Sequence, residues 1–273
     1  MLKRLQPVPA VLEKVSPLVT DNHVFTFRLE EPMPVAPGQF VEISVPGIGG
    51  FPASVCELVR GVHIALCIRK AGRVTSALYQ LAPGMGVGVR GPFGNGFVLE
   101  LMRGRDVLMM AGGLGMAPLR VLLQALLEQG RQRVTLLYGA RDWSTLLFRD
   151  ELAQLAADGR IELRFSVDRA EGVPHGTGSV PCRVGLVNTL LDDLQLTAGS
   201  TVAVVSGPPA LYQFVLEVLA ALGLPPEYIF ATLERRMRCG IGECCHCVTG
   251  GVFICEEGPV FSLAQLRNME GAV

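Results

Sequence analysis

Five of the eight cysteines lie between Cys239 and Cys255, a crowding that packing alone does not call for. Cys239-x4-Cys244-x2-Cys247, with Cys255 further along, has the spacing of the plant-type [2Fe–2S] arrangement. Soft thiolates hold iron, and Gly240 and Gly242 let the intervening chain turn sharply and aim amide groups at the sulfurs. Zinc is the rival. It favours C-x2-C pairs, of which Cys244/Cys247 is one, and His246 offers a spare ligand. Cys245 is the surplus thiol, expected to face away from the metal because adjacent residues cannot easily both ligate one small cluster. His246 is expected beside the metal rather than on it.

A second chemistry is written in glycine. Val107–Ala111 reads as an apolar strand and runs into Gly112-Gly113-Leu114-Gly115-Met116-Ala117-Pro118, then a helical pattern. Strand, glycine turn and helix start make an anion site, because free amide donors and the helix dipole favour a pyrophosphate. The pattern is not a strict G-x-G-x-x-G, so glycines serving a tight packed turn remain the alternative. Ser206-Gly207-Pro208-Pro209 follows a second apolar strand, Val202–Val205, and would flank the same crevice. Arg69-Lys70-Ala71-Gly72-Arg73-Val74-Thr75-Ser76 offers bases, a glycine and hydroxyls for a phosphate; a solvated turn is the plainer reading.

These segments need elements to carry them. Residues 8–100 hold short runs split by Pro and Gly, among them 24–29, 40–45 and 63–69, which point to a small antiparallel barrel. From Asp106 the rhythm changes to strands at 107–111, 134–138, 162–167 and 202–205. Helical patterns at 119–127, 146–157 and 211–222 lie between and after them, so a parallel sheet with crossover helices is expected. From Arg235 the chain is a Gly/Cys-rich tail too short for a core of its own. The expected layout is a Greek-key antiparallel β-barrel at 1–100, an α/β nucleotide-binding domain at 101–232, and a cluster-binding segment at 233–273.

Composition narrows the partners. The 273 residues carry 24 Lys+Arg against 25 Asp+Glu, a net charge of -1, which excludes the basic footprint of a nucleic-acid binder. Charged residues are 18%, against about 25% in ordinary globular chains, and the mean hydropathy is +0.40. So apolar a chain has a large core, a buried partner face, or both. Residues 1–7 lack the apolar stretch of a signal peptide, and 107–127 carries too many Gly, Pro and polar residues for a lone membrane span. A cytoplasmic protein with metal-bound rather than disulfide-paired cysteines is expected.

Read together, these segments resemble the ferredoxin–NADP reductase superfamily. The resemblance runs from Pro37-Gly38-Gln39-Phe40 through Gly91-Pro92-x-Gly94, Ala111–Leu119, Tyr138-Gly139-Ala140-Arg141 and Gly207-Pro208-Pro209 to the cysteine tail. The tail, with Gly258-Pro259-Val260-Phe261, is similar to iron–sulfur flavoprotein subunits that pair with dihydroorotate dehydrogenase, anaerobic sulfite reductase and cytosolic [NiFe] hydrogenases. The short Cys247–Cys255 spacing, and the His before the third ligand, look more like the hydrogenase and sulfite reductase subunits.

The resemblance implies FAD on the barrel, NAD(P)H on the α/β domain, and the cluster near the flavin. It puts Pro52, Ala53 and Ser54 in the flavin motif and Gly72, Val74 and Thr75 at the FAD phosphates, with Arg69 or Arg73 supporting the pyrophosphate. Gly112, Gly113, Gly115, Ala117, Pro118, Tyr138, Gly139, Ser206, Gly207 and Pro208 would surround the nicotinamide dinucleotide, with Arg141 toward its adenosine end. Cys239, Cys244, Cys247 and Cys255 would hold the metal. Two positions depart from the pattern: Phe51 and Ala53 stand where many relatives have Arg and an aromatic, and Ser206 where many have Cys. The implied activity is electron transfer between NAD(P)H and a catalytic partner, foremost a [NiFe] hydrogenase with an iron–sulfur subunit. The alternatives are a dihydroorotate dehydrogenase or sulfite reductase partner, or a scaffold subunit without flavin. No acid or base catalyst is needed.

Overall fold

The computed structural model describes residues 6–130, 133–173 and 180–272; the amino-terminal reading rests largely on residues 1–5, outside that range. The first sheet holds six antiparallel strands: β1 (Val8–Val19), β2 (Asn22–Leu29), β3 (Phe40–Val45), β4 (Gly49–Ser54), β5 (His63–Arg69) and β6 (Gly86–Phe93). Their order is β4-β3-β6-β1-β2-β5. The two outer strands meet at a Val55–Leu66 bridge and a Cys56 N–H to Ala65 carbonyl bond of 2.9 Å, which closes the sheet into a barrel. Alternation along β3 turns Val41, Ile43 and Val45 into the barrel core, as period-two strands require. A short helix, α1 (Arg73–Leu78), packs over β3 and β4.

The second sheet is doubly wound. It contains β7 (Asp106–Gly112), β8 (Val134–Ala140), β9 (Glu162–Val167), β10 (Cys182–Val184), β11 (Thr201–Ser206) and β12 (Ile229–Thr232), all parallel. Helices α2 (Met116–Gln129), α3 (Arg149–Ala157) and α4 (Pro209–Ala221) cover it. Cover on both faces explains why β8 and β11 are buried at every position. Helix α2 extends past the predicted 119–127 at both ends and stops at Gly130, whose φ of +66° suits glycine and whose N–H bonds the Leu126 carbonyl. Helix α3 starts later than its apolar pattern implied, because Phe148 takes a left-handed conformation (φ 55°) before it.

The tail adds a small hairpin, β13 (Val248–Thr249) with β14 (Val252–Phe253), then α5 (Ile254–Glu257), β15 (Val260–Ser262) and α6 (Leu263–Leu266). It does not stand apart. Strand β15 pairs antiparallel with β12, so the sheet order is β10-β9-β8-β7-β11-β12-β15. Ile254, Phe261, Leu263 and Leu266 share one apolar cluster with β11, α4 and the barrel residues Phe40 and Phe93. Among the described residues, no helix is long and apolar enough to cross a membrane.

One side chain ties barrel to α/β domain. Arg120 on α2 is 8% exposed. It donates 2.6 Å to the Cys56 carbonyl, 3.0 Å to both Glu151 oxygens on α3, and pairs with Glu57 at 3.2 Å. Its guanidinium also lies 4.6 Å from the Phe148 ring centre. Burial disfavours the charge, but the Glu151 bond outweighs it and keeps the group fully protonated. Replacing Arg120 by Met is expected to cost about 2 kcal/mol, because a buried carbonyl and a carboxylate lose their donor. Arg120→Lys keeps the charge without the fork and is expected to lose less; urea unfolding of both variants checks the order.

Candidate functional site

The strand order of the second sheet reverses between β7 and β11, and ligands of open α/β sheets bind at such a switch point, beyond the strand carboxyl ends. The two glycine loops meet there. A Cβ on Gly115 would lie 2.2 Å from the Ser206 carbonyl oxygen, and one on Gly112 3.0 Å from Pro208, so the loops touch only because side chains are missing. Gly113, at φ +51°, has nothing within 4 Å of its Cβ position, leaving open space above the turn. These residues fit a phosphate-bearing ligand approaching the backbone.

Other expected contacts act from underneath. Tyr138 is wholly buried; its hydroxyl donates 3.1 Å to the Gly113 carbonyl and accepts from the Leu147 N–H at 2.9 Å, so it props the turn. Gly139 is a packing residue, its Cβ position 2.6 Å from Val187. Ala117 is buried against the core, while Pro118 is half-buried in the first turn of α2. Ser206 is 1% exposed and accepts a 2.8 Å bond from the Thr232 hydroxyl, which places it inside the wall of the crevice. Tyr212, unremarked in the sequence, completes that wall: it accepts from the Gly207 N–H at 3.1 Å and donates to the Thr232 carbonyl. Arg141 and Arg169 are exposed beyond β8 and β9, joined by an Arg169 N–H to Arg141 carbonyl bond.

Across from this edge stands the barrel. Pro52, Ala53 and Ser54 are half-buried on β4. Gly72 opens α1, and the Thr75 hydroxyl accepts from the Ala71 and Gly72 N–H groups, both at 2.9 Å, which fixes the loop. Nothing lies within 4 Å of a Cβ on Gly72, an open cradle at a helix start. Val74 is half-buried just inside it. Arg73 turns away and donates to the Ile48 carbonyl at 3.0 Å, so of the two arginines only Arg69 faces the cleft. Its charge acts on Glu234, which follows β12. Glu234 lines a cavity of about 280 Å³ with Gly207, Tyr212 and Arg235. Crowding by protein raises its carboxyl above the usual range, with Arg69 opposing, although solvent still reaches the side chain.

The cysteine loop fits an iron–sulfur cluster. Cys244 lies near enough to Cys239, and Cys255 to Cys247 and Cys239, for each thiol to act on its neighbours. Among the described residues, no three His, Cys, Asp or Glu side chains converge on a point suited to one ion. Backbone amides supply what thiolates need: Ile241 and Cys244 N–H groups donate to Cys239 Sγ at 3.5 and 3.4 Å, and Gly242 N–H to Cys255 Sγ at 3.2 Å. The His246 and Cys239 amides lower the Cys244 thiol to about 7, whereas burial pushes Cys255 up to about 12. His246 turns its ring Nδ1 to the Cys244 carbonyl (2.9 Å). Cys245 is exposed at φ 57°, its thiol on the Glu243 carbonyl side.

Comparison with known proteins agrees with this geometry. Residues 109–217 match the oxidoreductase NAD-binding domain family, and 234–267 the iron–sulfur cluster binding domain of dihydroorotate dehydrogenase B. The chain is 37% identical to sulfhydrogenase 2 subunit gamma of Pyrococcus furiosus, over 95% of this chain and 96% of that one. It is 32% identical to a probable dihydroorotate dehydrogenase B electron transfer subunit of Thermoplasma acidophilum, over 86% and 81%. Among solved structures, an NADH-dependent reduced ferredoxin-NADP oxidoreductase superposes with a TM-score of 0.74 at 23% identity, covering 95% of this chain and 89% of that one. The chain therefore belongs to the ferredoxin–NADP reductase superfamily, as an oxidoreductase-type electron-transfer subunit with NAD-binding and iron–sulfur-binding domains.

Proposed function

We propose that this chain moves electrons between NAD(P)H and the catalytic subunit of a cytosolic [NiFe] hydrogenase, by way of FAD and a [2Fe–2S] cluster. The observation that carries the reading is one loop that brings Cys239, Cys244, Cys247 and Cys255 together with backbone amides on the Cys239 and Cys255 sulfurs, beside a barrel with an open phosphate cradle. Two sulfhydrogenase gamma subunits at 37% and 39% identity, each over at least 94% of this chain, support the hydrogenase partner above the dihydroorotate-linked one at 32%.

When bound, the flavin exchanges a hydride with the nicotinamide and single electrons with the cluster. The chain's own residues bind and orient. Gly72, Val74 and Thr75 would hold the flavin phosphates, with Arg69 as the cleft-facing cation in place of the missing motif arginine. Pro52, Ala53 and Ser54 would lie along the flavin ring. The turn at Gly112, Gly113 and Gly115 and the loop at Gly207-Pro208 would take the nicotinamide dinucleotide, and Arg141 with Arg169 its adenosine end. Cys239, Cys244, Cys247 and Cys255 would hold the cluster, closed off from the core side by Ile254 and Phe261.

Two variants test the reading. The purified wild-type chain is expected to absorb at about 450 nm and to carry about two iron atoms. Cys247→Ser should lose the iron while keeping the flavin band; stoichiometric zinc without iron or flavin in the wild type would sink the proposal. Gly115→Ala forces its loop off the Ser206 carbonyl, so the KM for NAD(P)H should rise about tenfold or more, roughly 1.4 kcal/mol of binding. Its flavin absorbance should not change. The partner is read from the native complex: co-purified nickel supports the hydrogenase, and dihydroorotate dehydrogenase in its place overturns it.

A further inference from the structure

The cluster loop is not free to settle where its own turns would leave it. One six-residue stretch of the barrel, Arg90 to Asn95, grips it on both sides. Asn95 commits its backbone N–H and both atoms of its side-chain amide to the residues just after Cys255. Its backbone N–H donates to the Gly258 carbonyl at 2.5 Å, and its side-chain Nδ2 to the Glu257 and Val260 carbonyls at 2.7 and 2.8 Å. Its Oδ1 accepts from the Val260 N–H at 3.0 Å. At the front of the ligand set, Arg90 donates 3.1 Å to the carbonyl of Arg238, the residue before Cys239. Gly240 then lies on the Phe93 ring so closely that a Cβ would stand 3.0 Å from three ring carbons' vicinity, at Cε1 and Cζ, with Cδ1 at 3.1 Å. Gly94 must also lack a side chain, since its Cβ would come 2.4 Å from the Gly258 carbonyl oxygen.

The same residues are wired to the strand expected to carry the flavin. In the β3–β4 and β3–β6 registers, Pro52 pairs with Glu42, which pairs with Arg90; Ser54 pairs with Phe40, which pairs with Phe93. Each register rung is backed by side chains. Arg90 donates to both Glu42 oxygens, at 3.1 and 2.5 Å, the Arg90 side chain 12% and the Glu42 side chain 19% exposed. The Phe40 and Phe93 rings pack with centroids 5.6 Å apart. A bulge puts one extra residue of β6 between the two rungs, which splays Arg90 and Phe93 toward the loop. Two rungs therefore run from β4 to the two residues flanking and following Cys239, across two strand spacings, roughly 10 Å.

We propose that Arg90, Phe93 and Asn95 are positioning residues that fix the cluster loop against β4, so that the separation of flavin and cluster is set by the barrel rather than by the loop. This rests on the reading of FAD at β4 and a cluster at the four cysteines. A tail held only by its own turns could shift by an ångström without unfolding; hydrogen bonds to Arg238 at one end of the ligand set and to Glu257, Gly258 and Val260 at the other do not allow that.

The test uses the flavin- and iron-loaded full chain and two variants, Asn95→Ala and Phe93→Leu. Flavin and iron content, the visible circular dichroism of the cluster, and the stopped-flow rate at which the cluster is reduced after mixing with NAD(P)H are measured together. Both variants should keep flavin and iron, change the dichroism bands, and slow cluster reduction about tenfold or more. Flavin reduction itself should keep its wild-type rate. Wild-type dichroism and wild-type cluster reduction in both variants would overturn the proposal, as would a slowing that merely tracks lost iron. A wild-type chain that carries no flavin or no iron would instead remove the functional reading, and this inference with it.

Discussion

A buried guanidinium has to be met on every side, and that requirement at Arg120 sets the relation of barrel to nucleotide domain. Its acceptors come from two separate places: the Cys56 carbonyl and Glu57 just after β4, and Glu151 on α3. Apolar contact alone would let two domains slide, because dispersion is nearly indifferent to small shifts. A planar fork with fixed donor directions is not. The cleft exists between the two halves, so its width is inherited from this junction. Leu58 N–H to Gln124 Oε1, at 2.9 Å, adds a second polar tie along the same helix.

On the nucleotide side the working surface is backbone. Glycines allow Gly112–Gly115 and Ser206–Gly207 to touch, and hydroxyls hold them from behind: Tyr138 on Gly113, Tyr212 on Gly207, Thr232 on Ser206. Burial raises the Tyr138 phenol, and pushes Tyr212 up to about 12, so both remain neutral hydrogen-bonding groups across the physiological range. This suits chemistry in which cofactors exchange electrons and hydride while the protein orients them. Glu234 is the charged exception, its carboxyl raised by burial and held back by the nearby Arg69 charge.

The cysteine segment shows how a piece with no core becomes ordered. It lends Ile254, Phe261, Leu263 and Leu266 to a cluster that already contains Val205, Leu211 and Val215, and it lends β15 to the sheet edge. Burial then comes from surface the α/β domain would otherwise expose, and an edge strand is paired rather than left open. The low charge of the chain follows in part from this sharing: three apolar clusters, not two, have to be filled.

What the sequence made legible follows from range. Apolar runs such as Val134–Tyr138 and Val202–Val205 declare buried parallel strands because both faces are covered, and the cysteine spacing declares its chemistry because ligand loops are local. Tyr138 and Ser206 mark a limit, since a residue's place in a motif does not say whether its side chain faces the crevice or the core, and both side chains are buried. Phe40 and Phe93 were silent for a different reason. Alternation puts Phe40 on the outer face of the barrel, where period-two logic expects solvent, while Phe93 is in step with the core residues Val87 and Val89 and is turned outward only by the bulge; nothing within either strand announces that the tail, more than 140 residues on, will cover them. Asn95 was hidden in the same way. It sits in a turn where Asn is ordinary, and only the returning chain at 257–260 turns an ordinary turn residue into one whose backbone N–H and side-chain amide are all committed.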